Sequence, residues 1–379
     1  MTGCEKIEAA LSERGTPEIP AVICYEGIYV RDHWRQLTAS PWWYAHSPDI
    51  SRQLAWHRDA IERTDQDWFA VPAGYSHQVR DDMCLEVRPD GVFRVNRKTG
   101  QEQRLEEPQM AGWSRGIEIE SVHPERLAET EAEIDALVPD VPLFDRPSFL
   151  AAGGADLAQA LLEGPACDLF PISHVGTPLW HTYTLWGFEG MMTMVATRPD
   201  LVKYTCGRLL EQALRGVQVA AAIGAKGIWL EDCLTDMVSP KAFAELNVPL
   251  LQRLVEEIRR LGMKSIYYYC GNPHGKWDLL MECGADALAL EESKKGFEID
   301  IMDVAKRVRG KCALLGNLDA IDLLENGSDE ELRREVERQI TAGRRNGSRF
   351  VMSIGSPVTP GTSVERVRRC TDLVHELGG

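Results

Sequence analysis

Residues 265–272 read Ser-Ile-Tyr-Tyr-Tyr-Cys-Gly-Asn, a short apolar stretch that runs into a cysteine. The stretch is too short for a helix and is rich in aromatic residues, which predicts a β-strand buried on both faces. Cys270 comes where that strand should end and a loop should begin. In a barrel of parallel strands, functional residues lie at this end. We therefore expect the Cys270 thiol to bind a soft metal ion or to attack an electrophile.

Seven further stretches share this apolar, strand-like character, and helical patterns follow most of them. They are Ala21–Tyr25, Asp67–Val71, Asp168–Ser173, Gly227–Glu231, Asp286–Glu291, Cys312–Gly316 and Arg349–Ile354. Pro199–Ala222, for example, begins with a proline and is followed by Gly224, which is typical of a helix. Regular alternation of strands and helices predicts an α/β protein, a single (β/α)8 TIM-type barrel that takes up the whole chain of 379 residues.

Residues 78–140 break this alternation and are interpreted as an insertion. Cys84–Arg88 and Val92–Val95 lie on either side of Pro89-Asp90-Gly91, a turn signal that predicts a β-hairpin. The acidic stretch Glu118–Val138 predicts a helix that leads back to the barrel. The insertion therefore combines a β-hairpin with an acidic helix.

Composition limits the partners of the chain. With 58 acidic against 42 basic residues the net charge is −16, which disfavours binding to nucleic acid or to an anionic membrane surface. No apolar run is long enough to span a bilayer, and Met1–Arg14 lack the apolar stretch of a signal peptide. The ten cysteines follow no regular framework. We therefore expect reduced thiols in a cytoplasmic protein.

Polar side chains gather at the carboxyl ends of the predicted strands. They are Glu26, Ser173, His174, Glu231, Asp232, Cys233, Tyr268, Cys270, Asn272, Glu291, Glu292, Asn317, Asp319 and Ser356. Such a collection predicts an active site at the mouth of the barrel. Single members have plainer interpretations: Cys270 alone is equally compatible with a buried structural thiol. Of two successive strand residues such as Glu291 and Glu292, only one side chain points inward.

Several motifs, in order, resemble the uroporphyrinogen decarboxylase superfamily. They are Gly224–Asp232 with Ser239-Pro240, Tyr268–Asn272, Leu315–Asp319 and Ser353–Ser363. The resemblance covers about the last two hundred residues well and the first part of the chain loosely. It implies a TIM-type barrel, in agreement with the strand count. It also implies one of two chemistries, decarboxylation of a porphyrinogen without a cofactor or methyl transfer to or from a corrinoid protein.

The decarboxylase branch of this superfamily uses arginines near the N-terminus and an aspartate after the second strand. Arg31 and Arg35 have a matching spacing and are candidates for binding substrate carboxylates. The stretch 71–75, Val-Pro-Ala-Gly-Tyr, offers no aspartate to stabilise a protonated pyrrole. The decarboxylase is therefore the alternative rather than the preferred function.

The methyltransferase branch implies a zinc ion held by a histidine and a cysteine of the fifth strand and by a later cysteine. Here Tyr268 stands at the histidine position, Cys270 is kept and Ser356 replaces the last cysteine. Tyrosine and serine are weak zinc ligands at neutral pH. Zinc must then be absent or take ligands from elsewhere, and Glu231, Cys233 and His274 are the nearest candidates. The predicted set is Cys270, Cys233 and Glu231.

These arguments favour a corrinoid-dependent methyltransferase that acts on a small methylated substrate and a cobalamin-binding partner protein. The leaving heteroatom must be activated by a metal ion or a proton donor, and Tyr268 or His174 is the predicted donor. The other predicted catalytic residues are Asp232, Glu291 and Asn317, and the predicted substrate-binding residues are Arg31, Arg35, Trp180, Asn272 and Ser356. A non-catalytic binding barrel is a third interpretation, and self-association to a homo-oligomer is left open.

Overall fold

A computed structural model describes residues 1–110, 122–293 and 296–379. The strands of the described residues are β1 Ala21–Val22, β2 Trp68–Ala70, β3 Met83–Arg88, β4 Gly91–Asn96, β5 Glu102–Leu105, β6 Phe170–Gly176, β7 Gly227–Asp232, β8 Lys264–Tyr269, β9 Ala287–Leu290, β10 Ala313–Leu315 and β11 Phe350–Ser353. Each of the eight predicted strands is present. They form one parallel sheet in the order β1-β11-β10-β9-β8-β7-β6-β2.

The two edge strands of this sheet meet and nearly close the barrel. The Asp67 amide donates to the Ala21 carbonyl at 2.8 Å, and the Ala21 amide donates to Asp67 Oδ2 at 2.7 Å. Two residues further along the chain from Ala21, the Ile23 amide donates to Gln66 Oε1 at 2.9 Å. The predicted (β/α)8 TIM-type barrel is therefore confirmed.

Helices surround the sheet, and several begin where the sequence places a cap. The α-helices of the described residues are α1 Gly3–Ala10, α2 Glu26–Asp32, α3 Trp34–Leu37, α4 Ile50–Thr64, α5 His77–Asp82, α6 Glu131–Leu137, α7 Arg146–Ala151, α8 Asp156–Leu162, α9 Pro178–His181, α10 Tyr183–Thr197, α11 Pro199–Ala222, α12 Pro240–Leu246, α13 Val248–Arg260, α14 Trp277–Glu282, α15 Ile301–Val308, α16 Asp329–Arg345 and α17 Val364–Gly378. The Ser239 side chain accepts from the Ala242 amide to start α12, and Ser328 with Glu331 forms a capping box at α16. No helix of the described residues is both long and apolar enough to cross a membrane.

Strand β8 shows why the apolar stretches predict barrel strands. Tyr267, Tyr268 and Tyr269 are all buried, so both faces of the strand are covered. Tyr268 faces the barrel axis and stacks on Trp229 of β7, with ring centroids 4.9 Å apart. Tyr269 faces outward and packs edge-on against Phe243 of α12 at 5.9 Å. Large aromatic side chains thus fill the barrel and pack its helices against the sheet.

The insertion forms a small antiparallel sheet of its own. β3 pairs with β4 across a tight turn in which Arg88 is opposite Gly91, which confirms the predicted hairpin, and β5 adds a third strand. The predicted helix Glu118–Val138 is wrong over residues 122–130. The helix α6 begins only at Glu131, because Thr130 and Glu133 form a capping box there. Residues 111–121, where the predicted helix would begin, lie outside the described residues.

Candidate active site

Four polar side chains from three strand ends meet at the mouth of the barrel, and we call them the thiol cluster: Tyr25, Glu231, Cys233 and Cys270. The Tyr25 hydroxyl donates to Glu231 Oε1 at 2.9 Å and lies 3.9 Å from Cys233 Sγ. Cys233 Sγ donates to the same carboxylate oxygen at 3.7 Å. Glu231 is thus the acceptor around which the cluster is arranged.

The two cysteines of the cluster come together because β7 and β8 are paired up to their ends. The Cys270 amide donates to the Asp232 carbonyl at 2.9 Å, one step beyond the last strand pair. The neighbouring Cys270 thiol, ahead of burial, raises the pKa of Cys233. Both residues are half-buried rather than sealed in the core. The sulfur of Cys270 therefore belongs to the barrel mouth.

Tyr25 enters the cluster through an unusual backbone conformation. Its φ of 54° and ψ of 43° lie in the left-handed region, which an L-residue with a side chain adopts at a cost of about 1–3 kcal/mol. This conformation lies between β1 and α2, and the Tyr25 ring is edge-on to that of Tyr268 at 5.6 Å. Sequence reasoning missed Tyr25, because it reads as the last apolar residue of the first strand. Its position at a strand end was the available signal.

Burial controls the protonation of the cluster. It raises the pKa of the Glu231 carboxyl, against the opposing effect of the hydrogen bonds from Tyr25 and Cys233. Burial, with the neighbouring Tyr268 and Cys233, also raises the pKa of the Tyr25 hydroxyl well above its usual range. At neutral pH the tyrosine and the Cys233 thiol therefore keep their protons, and Glu231 is easier to protonate than an exposed glutamate.

Aromatic rings pack around Trp229 next to the thiol cluster. The Tyr25 ring is 6.3 Å from Trp229, and the ring of His174 on β6 is 5.9 Å from Trp229. His174 is exposed to the opening, yet the protein around it lowers its pKa to about 4 by desolvation. At neutral pH its imidazole is neutral, so it can accept a proton or donate a single N–H.

Asp232 was predicted to be catalytic, and the structure shows a different placement. Because side chains alternate along a strand, Glu231 faces the mouth and Asp232 faces the helices. The Asp232 carboxylate is buried and accepts hydrogen bonds from Thr177 at 2.8 Å, Asn247 at 2.7 Å and Tyr267 at 2.6 Å. It therefore joins β6, β7, β8 and α13 instead of facing a substrate.

Three other predicted residues have their polar groups engaged by protein. The Tyr268 hydroxyl donates to the Gly355 carbonyl at 2.9 Å, so its proton points away from the cluster. Asn317 donates to the backbone carbonyls of Glu291 and Ile299 at 3.2 and 3.0 Å and ties together the loop after β9. Glu291 is buried close enough to Tyr268 to raise the pKa of that hydroxyl, although burial is the larger cause.

The predicted substrate-binding residues are spread more widely. Ser356 is buried and donates to Glu292 Oε2 at 2.8 Å. Asn272 Oδ1 accepts from the His274 amide at 3.0 Å within the loop after β8. Trp180 lies in α9, where its ring is 5.1 Å from that of its neighbour His181. None of these contacts reaches the thiol cluster.

Arg31 and Arg35 lie on a cavity of about 830 Å³ beside β1 and β2 that does not include the thiol cluster among its lining residues. Arg31 Nε donates to Asp32 Oδ1 at 2.8 Å, and Arg35 pairs with Glu107 at 2.8 Å while its side chain is 83% exposed. Both guanidinium groups are therefore already paired with a carboxylate. Glu26, Phe69 and Ala70 place this cavity near the carboxyl ends of β1 and β2, where no residue of the thiol cluster lines it.

The predicted zinc ligands Glu231, Cys233 and Cys270 do come together, but as a hydrogen-bonded set. Cys233 keeps its proton and uses it on Glu231, whose second neighbour is the Tyr25 hydroxyl. Within the described ranges, no three histidine, cysteine, aspartate or glutamate side chains are arranged to hold a metal ion. The donors and acceptors of this set are used on one another, so the arrangement does not fit a zinc ion, and zinc binding stays a prediction from the sequence.

Comparison with known proteins places this barrel in a family. The model of the uroporphyrinogen decarboxylase (URO-D) family matches residues 162–377, which include β6 to β11 and three members of the thiol cluster. The chain belongs to the uroporphyrinogen decarboxylase family. This is an enzyme family, and the resemblance of the strand-end motifs to it is confirmed.

Curated relatives carry the family name. The chain is 31% identical over 238 residues to the uroporphyrinogen decarboxylase of Thermodesulfovibrio yellowstonii and 26% identical over 252 residues to that of an Anaeromyxobacter species. These matches cover 63% and 65% of this chain, and 60% and 68% of the relatives. The chain thus spans about three fifths to two thirds of the length of these two relatives. A solved methyltransferase from Methanosarcina mazei superposes over 100% of both chains with a TM-score of 0.66 at 16% identity, which shows a shared fold.

Proposed function

We propose that this protein is a methyltransferase that moves a methyl group between a small methylated compound and a corrinoid carried by a cobalamin-binding partner protein. The observation that carries the proposal is the thiol cluster at the barrel mouth. It brings together a carboxyl group of raised pKa, that of Glu231, and the partly exposed thiols of Cys233 and Cys270. Barrel enzymes carry out their chemistry at this end of the strands.

Methyl transfer to a reduced corrinoid is a displacement at the methyl carbon. The cobalt–carbon bond forms as the bond from carbon to the heteroatom breaks, and the heteroatom leaves with the electron pair. A proton delivered to the heteroatom stabilises it as it leaves. Glu231 is suited to deliver that proton, because burial raises its pKa and Tyr25 orients it through a hydrogen bond of 2.9 Å. Cys270 and Cys233 offer weaker S–H donors on the same side.

The alternative is a cofactor-free decarboxylase, which the names of the curated relatives favour. Two observations weigh against it. Arg31 and Arg35 are each paired with a carboxylate on a separate cavity. After β2 the chain continues Val-Pro-Ala-Gly-Tyr over residues 71–75, with no aspartate to stabilise a protonated pyrrole. The carboxylate-rich substrate of such an enzyme would therefore find few free cationic groups here.

A pair of assays on the purified full chain separates the two functions. Methylcobalamin replaces the partner's corrinoid, a panel of small thiols and amines serves as methyl acceptors, and the visible spectrum records loss of the methyl group. In this direction the acceptor heteroatom loses a proton as it takes the methyl group, so Glu231 acts as the base. We expect turnover to fall by about 100-fold in Glu231→Gln, the usual loss of a general base. Release of carbon dioxide from uroporphyrinogen, with no demethylation of methylcobalamin, would establish the alternative. Binding of methylcobalamin without turnover in either assay would indicate a non-catalytic binding barrel.

A further inference from the structure

The cavity beside β1 and β2 is a second candidate binding site, separate from the thiol cluster. Its volume of about 830 Å³ lies within the range of small-molecule sites in proteins. The walls come from α2, α3, α4, the turn 42–46 and residues 107–110. Most of the wall is apolar, with three tryptophans at different points: Trp34, Trp42 and Trp56.

Among the arginines and carboxylates of the wall, which also includes His33, His46 and His57, one residue has no ion-pair partner. Arg31 is paired with Asp32 and Arg35 with Glu107, so these four cancel in pairs. Glu26 has no cationic partner among the described residues. Its Oε2 accepts from the Ala70 amide at 2.7 Å, and the side chain of Gln66 donates to it as well. The cavity therefore presents one acidic group whose charge is unmatched.

Glu26 is enclosed by protein apart from the side that lines the cavity. Burial raises its pKa to about 7, against the hydrogen bonds from Ala70 and Gln66. A positive charge placed in the cavity would favour the ionised form and release the proton. His57, on the same wall, would not repel such a charge, because burial lowers its pKa to about 4 and keeps it neutral.

The tryptophans complement a cation in a second way. Trp34 and Trp56 form a corner, with ring centroids 5.1 Å apart at an angle of 45°. The faces of indole rings attract cations and also pack against apolar groups. A ligand with a positive nitrogen and an apolar body satisfies both the rings and the unmatched acid.

We propose that this cavity binds a small organic cation, whose charged nitrogen lies beside Glu26 and whose apolar part packs against Trp34, Trp42 and Trp56. The proposal does not depend on the methyltransferase assignment, since it concerns a cavity that the thiol cluster does not line. The name of the family does not state such a ligand. Binding, rather than turnover, is therefore the property to measure.

Isothermal calorimetry on the full chain tests the proposal with choline and with benzyltrimethylammonium, whose charges do not vary with pH. Since about a tenth of Glu26 is ionised near pH 6 and about nine tenths near pH 8, the affinity for either cation should rise about tenfold between them. In Glu26→Gln this dependence should vanish and the affinity near pH 8 should fall by about tenfold. Glu13→Gln, which removes the same charge from the exposed surface, should behave like the wild type.

The uncharged isostere of choline, 3,3-dimethylbutan-1-ol, separates charge from shape. Its binding should be weaker and should not respond to pH or to Glu26→Gln. If Glu26→Gln does not fold, Trp42→Leu serves instead and should weaken choline more than the isostere. Equal affinity for choline and the isostere would show a purely apolar cavity and overturn the proposal. So would the failure of both cations to bind, or binding that is indifferent to pH.

Discussion

Asp67 joins the first and last parts of the chain at the amino end of β2, and replacing it should weaken the whole barrel. Its carboxylate is 5% exposed. It accepts from the Ala21 amide at 2.7 Å, from His375 Nε2 at 2.8 Å and from Lys6 Nζ at 3.2 Å. These bonds join β1, α17 and α1 to β2. Asp67→Asn keeps the volume and one acceptor oxygen but removes the charge that faces Lys6 and His375.

The size of the effect follows from the kind of bonds that are lost. A hydrogen bond to a charged, largely buried group contributes roughly 1.5–3 kcal/mol. Two such bonds, to Lys6 and His375, lose their acceptor charge, while the bond from the Ala21 amide can survive. We expect Asp67→Asn to lower the free energy of unfolding by about 2–4 kcal/mol near pH 7. Urea titration followed by circular dichroism measures this difference.

The dependence on pH has a definite sign. Burial opposes ionisation of Asp67, but the hydrogen bonds from His375 and the Ala21 amide outweigh it and hold the pKa below its usual value of 3.8. A carboxyl with a lowered pKa in the folded state stabilises the protein above the pKa of the unfolded state. That contribution disappears as the pH falls through the folded-state pKa. The difference between wild type and Asp67→Asn should therefore shrink below about pH 4.

Glu8→Gln is the matched control for Asp67→Asn. It removes the same charge from a bridge to Lys226 in which both side chains are 49% exposed. An exposed pair of this kind contributes about 0–1 kcal/mol, so the control should be nearly neutral. A loss below about 1 kcal/mol in Asp67→Asn, or a loss that persists on acidification, would refute the role of Asp67 in closing the barrel.

Four further outcomes concern the barrel mouth and the buried Asp232 beside it. If Glu231 protonates the leaving heteroatom, the rate of methyl transfer to the corrinoid should fall as the pH rises through the raised pKa of Glu231, and Glu231→Gln should lack that limb of the rate profile. His174→Gln should leave the profile above about pH 5 unchanged, because the pKa of His174 is already lowered to about 4. Elemental analysis should find zinc in the wild type and less in Cys270→Ser if the cluster holds the metal, and equal content in both would refute that role. Asp232→Ala should lower the free energy of unfolding by about 3–5 kcal/mol, measured in urea, because three buried donors lose their acceptor.

The barrel could be predicted because strand identity depends on local composition. Each of the eight strands is a short apolar stretch flanked by helical patterns. Because both faces of such a strand are buried, its residues need not alternate between apolar and polar. The closure between β1 and β2 could not be predicted in the same way. It rests on one backbone bond, from the Asp67 amide to the Ala21 carbonyl, and on bonds from the amides of Ala21 and Ile23 to the side chains of Asp67 and Gln66. Such pairs, more than forty residues apart, leave no local pattern.

The site was predictable in position more than in composition. Strand ends indicated Glu231, Cys233 and Cys270 correctly as neighbours at the mouth. The pair Glu231 and Asp232 shows the limit: two successive carboxylates in a sequence do not show which one faces inward, and a shift of β7 by one residue in register would exchange their roles. Tyr25 shows another limit, because a left-handed backbone at a tyrosine has no signature in the sequence.

The end of β1 supplies both sites from two successive residues. Tyr25 turns its hydroxyl to Glu231 at the barrel mouth, and Glu26 places its carboxylate on the cavity. β1 ends at Val22, and the left-handed conformation of Tyr25 immediately precedes α2, which begins at Glu26. The hydrogen bond from Tyr25 to Glu231 offsets the cost of that conformation, as does the bond from the Ala70 amide to Glu26. The strained residue therefore holds the wall between the two sites, and its backbone fixes where each acid points.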